Sequence, residues 1–196
     1  MTSSSSVSLT RGLDTMLVVY SLLQGHPAAT PCEQFLRNQT GWFTTPLVLF
    51  EARAVLVKVY GTDPVQTTHK LTQLAQGPVT ILDLTPTDAL AALAFGDAHQ
   101  LDLTDAALLL AAQHHSVQEL ATEDQRLRQV CVTLGIATTS PVDAVVRQQI
   151  DVWEASHLAP KGLARTLRSI QHWLSRHHPQ TAIDFWSRTG NGSHLP

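Results

Sequence analysis

The chain has 196 residues, 43% of them hydrophobic and only 15% charged, with a formal net charge of −3 at neutral pH. That length suits one domain plus an appendage and is enough for a real core, while the overall charge gives no sign of a nucleic-acid binder. No apolar run approaches the ~20 residues needed to span a bilayer, and the short run 16–23, headed by Asp14, does not read as a signal peptide. Cys32 and Cys131 lie far apart without metal-ligand spacing, so they are expected to be reduced core thiols of a cytoplasmic protein. The charge is uneven: residues 1–141 hold 7 Lys and Arg against 12 Asp and Glu, and residues 142–196 hold 6 against 4, with half of the histidines.

Residues 1–6 read as a serine-rich leader, expected to be disordered. A strand is expected over 7–14, and a helix over 15–23 that Gly25 and Pro27 stop. PCEQFLRN, 31–38, reads as a short helix with Pro in its first turn. GWFTT, 41–45, reads as a short aromatic and β-branched strand. Pro46 opens a helix over 47–60 with apolar residues at Leu49, Ala52, Leu56 and Val59, a helical spacing, and Gly61 ends it. Asp63-Pro64 begins another helix, closed by Gly77-Pro78. VTILDL, 79–84, is a strand bounded by turn dipeptides. A helix follows over 87–99. The next, 104–115, has Thr104 as a good N-cap and is apolar on all sides at 106–112, which marks it as buried. A strand over 117–122, a helix over 124–134 capped by Gly135, and a last strand over 136–139 complete the alternation. Strands alternating with helices predict a three-layer α/β/α sandwich around a central parallel sheet. The alternation stops at Pro141. Two more helices, 142–158 and 162–177, follow, and 179–196 loses periodicity. The expected division is therefore 1–6, 7–141 and 142–196.

Four acids take comparable places: Asp14 at the end of the first strand, Glu51 in the early turns of the helix after the second, Asp105 in the first turn of the buried helix, and Asp124 just after the strand 117–122. In a parallel sheet the C-terminal strand edges and the following helix starts lie on one side, so all four can meet there. Clustered carboxylates raise one another's pKa and persist where a cation offsets them. Oxygen-only ligands favour Mg²⁺ or Mn²⁺, ions that serve phosphate chemistry. Each acid also has a plainer role, as a helix cap or a dipole partner. For Asp105, at the head of a buried helix, lacking a partner is costly.

GLDTMLVVYSLL, TTPLVLFEARAVL, LTDAALLLAAQHH and LATEDQRLRQVCVTLGI, in this order, resemble the motifs of the PIN-domain family, the fold of many toxin ribonucleases of bacterial toxin–antitoxin pairs. The resemblance covers about two-thirds of the chain. It implies a metal-dependent endoribonuclease whose acidic cluster would be Asp14, Glu51, Asp105 and Asp124, holding one or two Mg²⁺ or Mn²⁺ ions. It places hydroxyls, Thr15 and Thr122, near the ion or its water. RNA is the implied substrate, with an antitoxin protein as a possible partner and a homodimer as the implied assembly. Asp102, one turn before Asp105, reads as a cap or a supporting acid, and Glu123 is expected to face solvent.

Residues 142–196 depart from the family, whose toxins end soon after the strand matching 136–139. The second helix of this extension aligns Lys161, Arg165, Arg168, His172 and Arg176 in one basic stripe, with Leu163, Leu167, Ile170 and Leu174 on another face. The stripe offers a weak candidate RNA-binding surface, with Trp153, Trp173 or Trp186 for base stacking; a solvated face of a packed hairpin is the plainer reading, and partner binding a third. The pairs His114-His115 and His177-His178 lack a third ligand at useful spacing and read as surface histidines. The competing function is a non-catalytic PIN-like module that binds RNA or protein. A haloacid-dehalogenase-like phosphatase also begins with a strand-end Asp, but it needs a second Asp where Met16 stands.

Overall fold

The computed structural model describes residues 9–158 and 165–189. Within them five three-residue strands, β1 (Arg11–Leu13), β2 (Trp42–Thr44), β3 (Val79–Ile81), β4 (Glu119–Ala121) and β5 (Ala137–Thr139), form one sheet in the order β3-β2-β1-β4-β5. Every pairing is parallel. The strands are shorter than their β-branched stretches suggest: of 79–84, for instance, only Val79–Ile81 is strand. The leader 1–6 lies outside the described residues.

The helices of this first part are α1 (Thr15–Leu22), α2 (Ala29–Arg37), α3 (Pro46–Lys58), α4 (Pro64–Gln76), α5 (Pro86–His99), α6 (Leu103–His114) and α7 (Gln125–Thr133). They flank the sheet in the expected layered sandwich. Three of them begin with a proline behind a capping residue: Thr45 before Pro46, Asp63 before Pro64 and Thr85 before Pro86. Proline suits that position because its missing N–H would have no helical partner anyway. Of the two caps the sequence offers before α6, Asp102 and Thr104, the structure uses Asp102, whose carboxylate accepts from the Asp105 amide at 2.9 Å.

The core is built on β1, β2 and β4 with the inner faces of α1, α3, α6 and α7. Leu13, Leu17, Trp42, Phe43, Leu56, Leu108, Leu120 and Leu127 are almost wholly buried. The sheet's centre leaves no room at Gly12: a Cβ there would lie 2.3 Å from Leu120 Cδ1 and 3.1 Å from Phe43 Cζ. The side chains of both flanking strands lean over β1, and only glycine admits them.

The chain reaches β2 on one side of β1 and later returns to place β4 on the other. That reversal makes the C-terminal ends of β1 and β4 the switch point, the crevice at which open α/β sheets take their ligands.

The chain divides into two compact units between Arg147 and Gln148, within α8 (Ala144–His157). In the second unit α9 (Arg165–His177) packs against α10 (Pro179–Thr189). The helix α10 corrects the expectation of an aperiodic tail from 179. Pro179 opens it, and Ala182, buried, with Phe185 and Trp186, partly buried, stands at helical i, i+3, i+4 spacing.

Candidate active site

Asp14 leaves β1 at the crevice and caps α1, accepting from the Thr15 amide. It is 4% exposed. Its second oxygen accepts from Thr122 Oγ1 at 2.7 Å, across 108 residues of chain. Thr122, wholly buried at the end of β4, also accepts from the Asp124 amide at 3.0 Å. One hydroxyl thus joins the acids that follow β1 and β4. Thr15 Oγ1 donates to Glu51 Oε2 at 2.7 Å, which brings α3 to the same place. The two threonines are the hydroxyls that the resemblance placed here, and both bind carboxylates.

Asp105 enters from the first turn of α6 and is buried. Asp124 caps α7 through the Leu127 amide at 2.7 Å and stands exposed at the rim. Asp102, also exposed, spends one oxygen on capping α6.

The carboxylates act on one another. Asp14 is raised to about 6, chiefly by burial and in part by the charges of Glu51 and Asp124, against the hydroxyl of Thr122 and the amide of Thr15. Burial pushes Asp105 up to about 8, with Asp14, Asp102, Asp124 and Glu51 all adding to it. Beneath them, burial raises the Cys131 thiol to about 11, and Asp105 and Asp14 raise it too. Among the described residues none of the four acids pairs with a Lys, Arg or His. Clustered carboxylates without a protein cation repel one another and raise one another's pKa. The donor set is carboxylate and hydroxyl oxygen, which fits a hard divalent ion rather than zinc or copper. Among the described residues no three His, Cys, Asp or Glu side chains stand ready to hold one ion together. Asp14 and Glu51 are instead turned onto threonine hydroxyls, so holding an ion requires side-chain rotation.

Glu123 is a correction. Expected in solvent, its side chain is only 8% exposed and is paired with Arg128 and Arg147. No sequence signal marks Arg147, 24 residues further on, as its partner.

Of the weaker candidates, Lys161 lies outside the described residues, and Arg165 and Arg168 belong to α9 with their side chains outside them. Arg176 is exposed near the end of α9. Trp153 stacks on His157 and Trp173 on His177, with ring centroids 4.2 and 4.8 Å apart. His114 faces Asp88 at 3.6 Å.

The PIN-domain family model matches residues 13–132, more than half of the chain. No curated protein matches significantly. Among solved structures, the chain resembles the sarcin–ricin-loop-cleaving toxin VapC20 of Mycobacterium tuberculosis, with a TM-score of 0.53 at 13% identity over 62% of this chain and 95% of that one. It also resembles PAE2754 of Pyrobaculum aerophilum, with a TM-score of 0.49 at 18% identity over 73% and 98%. A toxin–antitoxin complex of Klebsiella pneumoniae gives a TM-score of 0.47 at 20% identity over 67% and 98%. At these identities the likeness is one of fold.

Proposed function

The chain belongs to the PIN-domain family, and on that premise we propose that it is a metal-dependent endoribonuclease, the toxin of a toxin–antitoxin pair. Asp14, Glu51, Asp105 and Asp124 are the residues that would hold Mg²⁺ or Mn²⁺. The observation that carries this reading is the uncompensated cluster at the β1–β4 crevice, where two buried acids are pushed to about 6 and about 8 by burial and by their acidic neighbours. When bound, the ion supplies Lewis acidity, lowering the pKa of a water and offsetting charge on a phosphodiester.

The protein's own part is to build and hold that anionic pocket. Thr122 donates to Asp14 and accepts from the Asp124 amide, which keeps the acids that follow β1 and β4 side by side. Thr15 holds Glu51 toward Asp14. The buried start of α6 holds Asp105 where water is scarce, which strengthens its electrostatic effect. No Ser or Cys nucleophile is needed, and Cys131 stays a thiol. RNA is the proposed substrate class, and an antitoxin protein is the expected partner.

The test is Asp14→Asn. Loss of at least about a thousandfold in Mn²⁺-dependent RNA cleavage is expected, given that metal and water activation carry the chemistry. Undiminished cleavage by rigorously purified Asp14→Asn protein sinks the proposal. The absence of a preassembled three-ligand group among the described residues favours a second reading, a PIN scaffold that binds RNA or protein without cutting. Calorimetric titration with Mn²⁺ separates the two: heat that disappears in Asp14→Asn supports the nuclease, and no heat with wild-type protein supports the scaffold.

A further inference from the structure

Glu123 sits between Thr122 and Asp124, yet it turns away from the crevice. Its carboxylate accepts from Arg128 at 2.9 Å and also engages Arg147 and the Ser140 hydroxyl. Arg128 in turn donates from Nε and a terminal nitrogen to the Thr122 carbonyl, at 3.1 and 2.7 Å. Ser140 accepts from the Val142 amide at 2.9 Å, and the Thr122 amide donates to the Thr139 carbonyl at 3.1 Å. The loop between β4 and α7 is therefore gripped from behind by α7, by the turn after β5 and by the start of α8. Arginine suits this work because its planar fork donates several bonds in fixed directions. Leaving a carboxylate this buried without such partners is costly.

We infer that Glu123 and Arg147 are positioning residues that hold Thr122 and Asp124 toward the crevice, so that residues beyond the matched family segment 13–132 complete the ion site. The inference rests on the nuclease reading above. Neither residue touches the ion or the RNA; each acts through the loop it fixes. Outer partners of this kind commonly change metal affinity by about 10- to 100-fold. The first turn of α8 then belongs to the functional core, and the extension starts doing something only after it.

The experiment uses the full chain and Mn²⁺ alone as probe. Mn²⁺ affinity is measured by calorimetry for wild type, Glu123→Gln, Arg147→Met and Arg147→Lys, each checked for folding by circular dichroism. Arg37→Ala, which breaks the exposed Glu33 pair, serves as control. About a tenfold or greater loss is expected for Glu123→Gln and Arg147→Met, partial recovery for Arg147→Lys, and none for the control. A purely structural role would weaken binding equally whether or not Asp124 is present, so Arg147→Met is repeated in Asp124→Asn. There its effect on affinity is expected to shrink severalfold, because both changes act through one ligand, while its effect on melting temperature stays. Unchanged affinity in folded Glu123→Gln and Arg147→Met, or an undiminished effect in the Asp124→Asn background, overturns the inference and leaves the nuclease reading standing. Wild-type protein that binds no Mn²⁺ overturns both.

Discussion

Replacing Asp105 by Asn should make the metal-free protein more stable while removing its activity. Asp105 is buried at the head of α6 and surrounded by Asp14, Asp102, Asp124 and Glu51. Its carboxyl is raised from 3.8 to about 8, so the fold holds the proton more tightly than the unfolded chain does. The sign follows from linkage. Below pH 3.8 both states are protonated and the group has no effect; as pH rises through the window up to about 8, stability falls, and above it the penalty levels off. Each unit corresponds to about 1.4 kcal/mol, which sets an upper bound of several kcal/mol. Relaxation and water in an open crevice reduce this, and a gain of about 1–3 kcal/mol for Asp105→Asn at pH 9 is the working figure. For a chain of this length that is roughly 3–10 °C in melting temperature. Asn matches the protonated acid in shape, so the two proteins should converge toward pH 4. The assay is calorimetric melting in EDTA at pH 4.5, 7 and 9, followed by the same melts with Mn²⁺. Wild type should gain stability with the ion and the variant should not. A variant less stable than wild type at pH 9 in EDTA, or one stabilised equally by Mn²⁺, refutes the electrostatic account of the cluster.

Thr122→Val keeps the shape but removes the hydroxyl shared by Asp14 and the Asp124 amide; it should cost about 1–3 kcal/mol in urea unfolding and weaken Mn²⁺ binding. Gly12→Ala places a Cβ 2.3 Å from Leu120 Cδ1, and a loss of about 1–3 kcal/mol is expected; Gly12→Ala combined with Leu120→Ala should recover part of the Gly12→Ala melting loss, measured relative to Leu120→Ala alone. Burial raises Cys32 to about 12 and Cys131 to about 11, so neither thiol should react with Ellman's reagent at pH 8 until denaturant is added. Rapid labelling of the native protein would show the core to be open.

Much of this fold was legible because the chain marks its own boundaries. The dipeptides Thr45-Pro46, Asp63-Pro64 and Thr85-Pro86 announce helix starts by a local rule, and the structure follows it. The acids were legible for a related reason. Each sits where a strand ends or a helix begins, and a parallel sheet brings such places to one edge. What escaped depends on distant chain. Thr104 and Asp102 are both good caps, two residues apart, and local chemistry ranks neither; the structure starts α6 from Asp102, which places Asp105 at the third helical position. Phe185 and Trp186 lie in a stretch whose composition resembles a frayed tail, and their helical spacing gains force only from packing on α9. Glu123 was misjudged because a Glu beside an acidic loop usually points outward, and nothing nearby reveals a pair of arginines waiting for it.

The sequence Thr122-Glu123-Asp124 puts three duties on three consecutive residues, and strand geometry explains how. Successive side chains at a strand's end point to opposite sides, so Thr122 and Asp124 can face the crevice while Glu123 faces back. The Thr122 hydroxyl donates to Asp14 and accepts from the Asp124 amide. The backward residue engages Arg128 and Arg147. A carboxylate in the middle position is what lets cations brace the loop without entering the crevice, where they would neutralise the acids and remove the reason for an ion to bind. Aspartate in place of Glu123 would fall a methylene short of both arginines, and glutamine would keep the reach but lose the charge. The same physics therefore keeps positive charge behind the loop and negative charge in front of it.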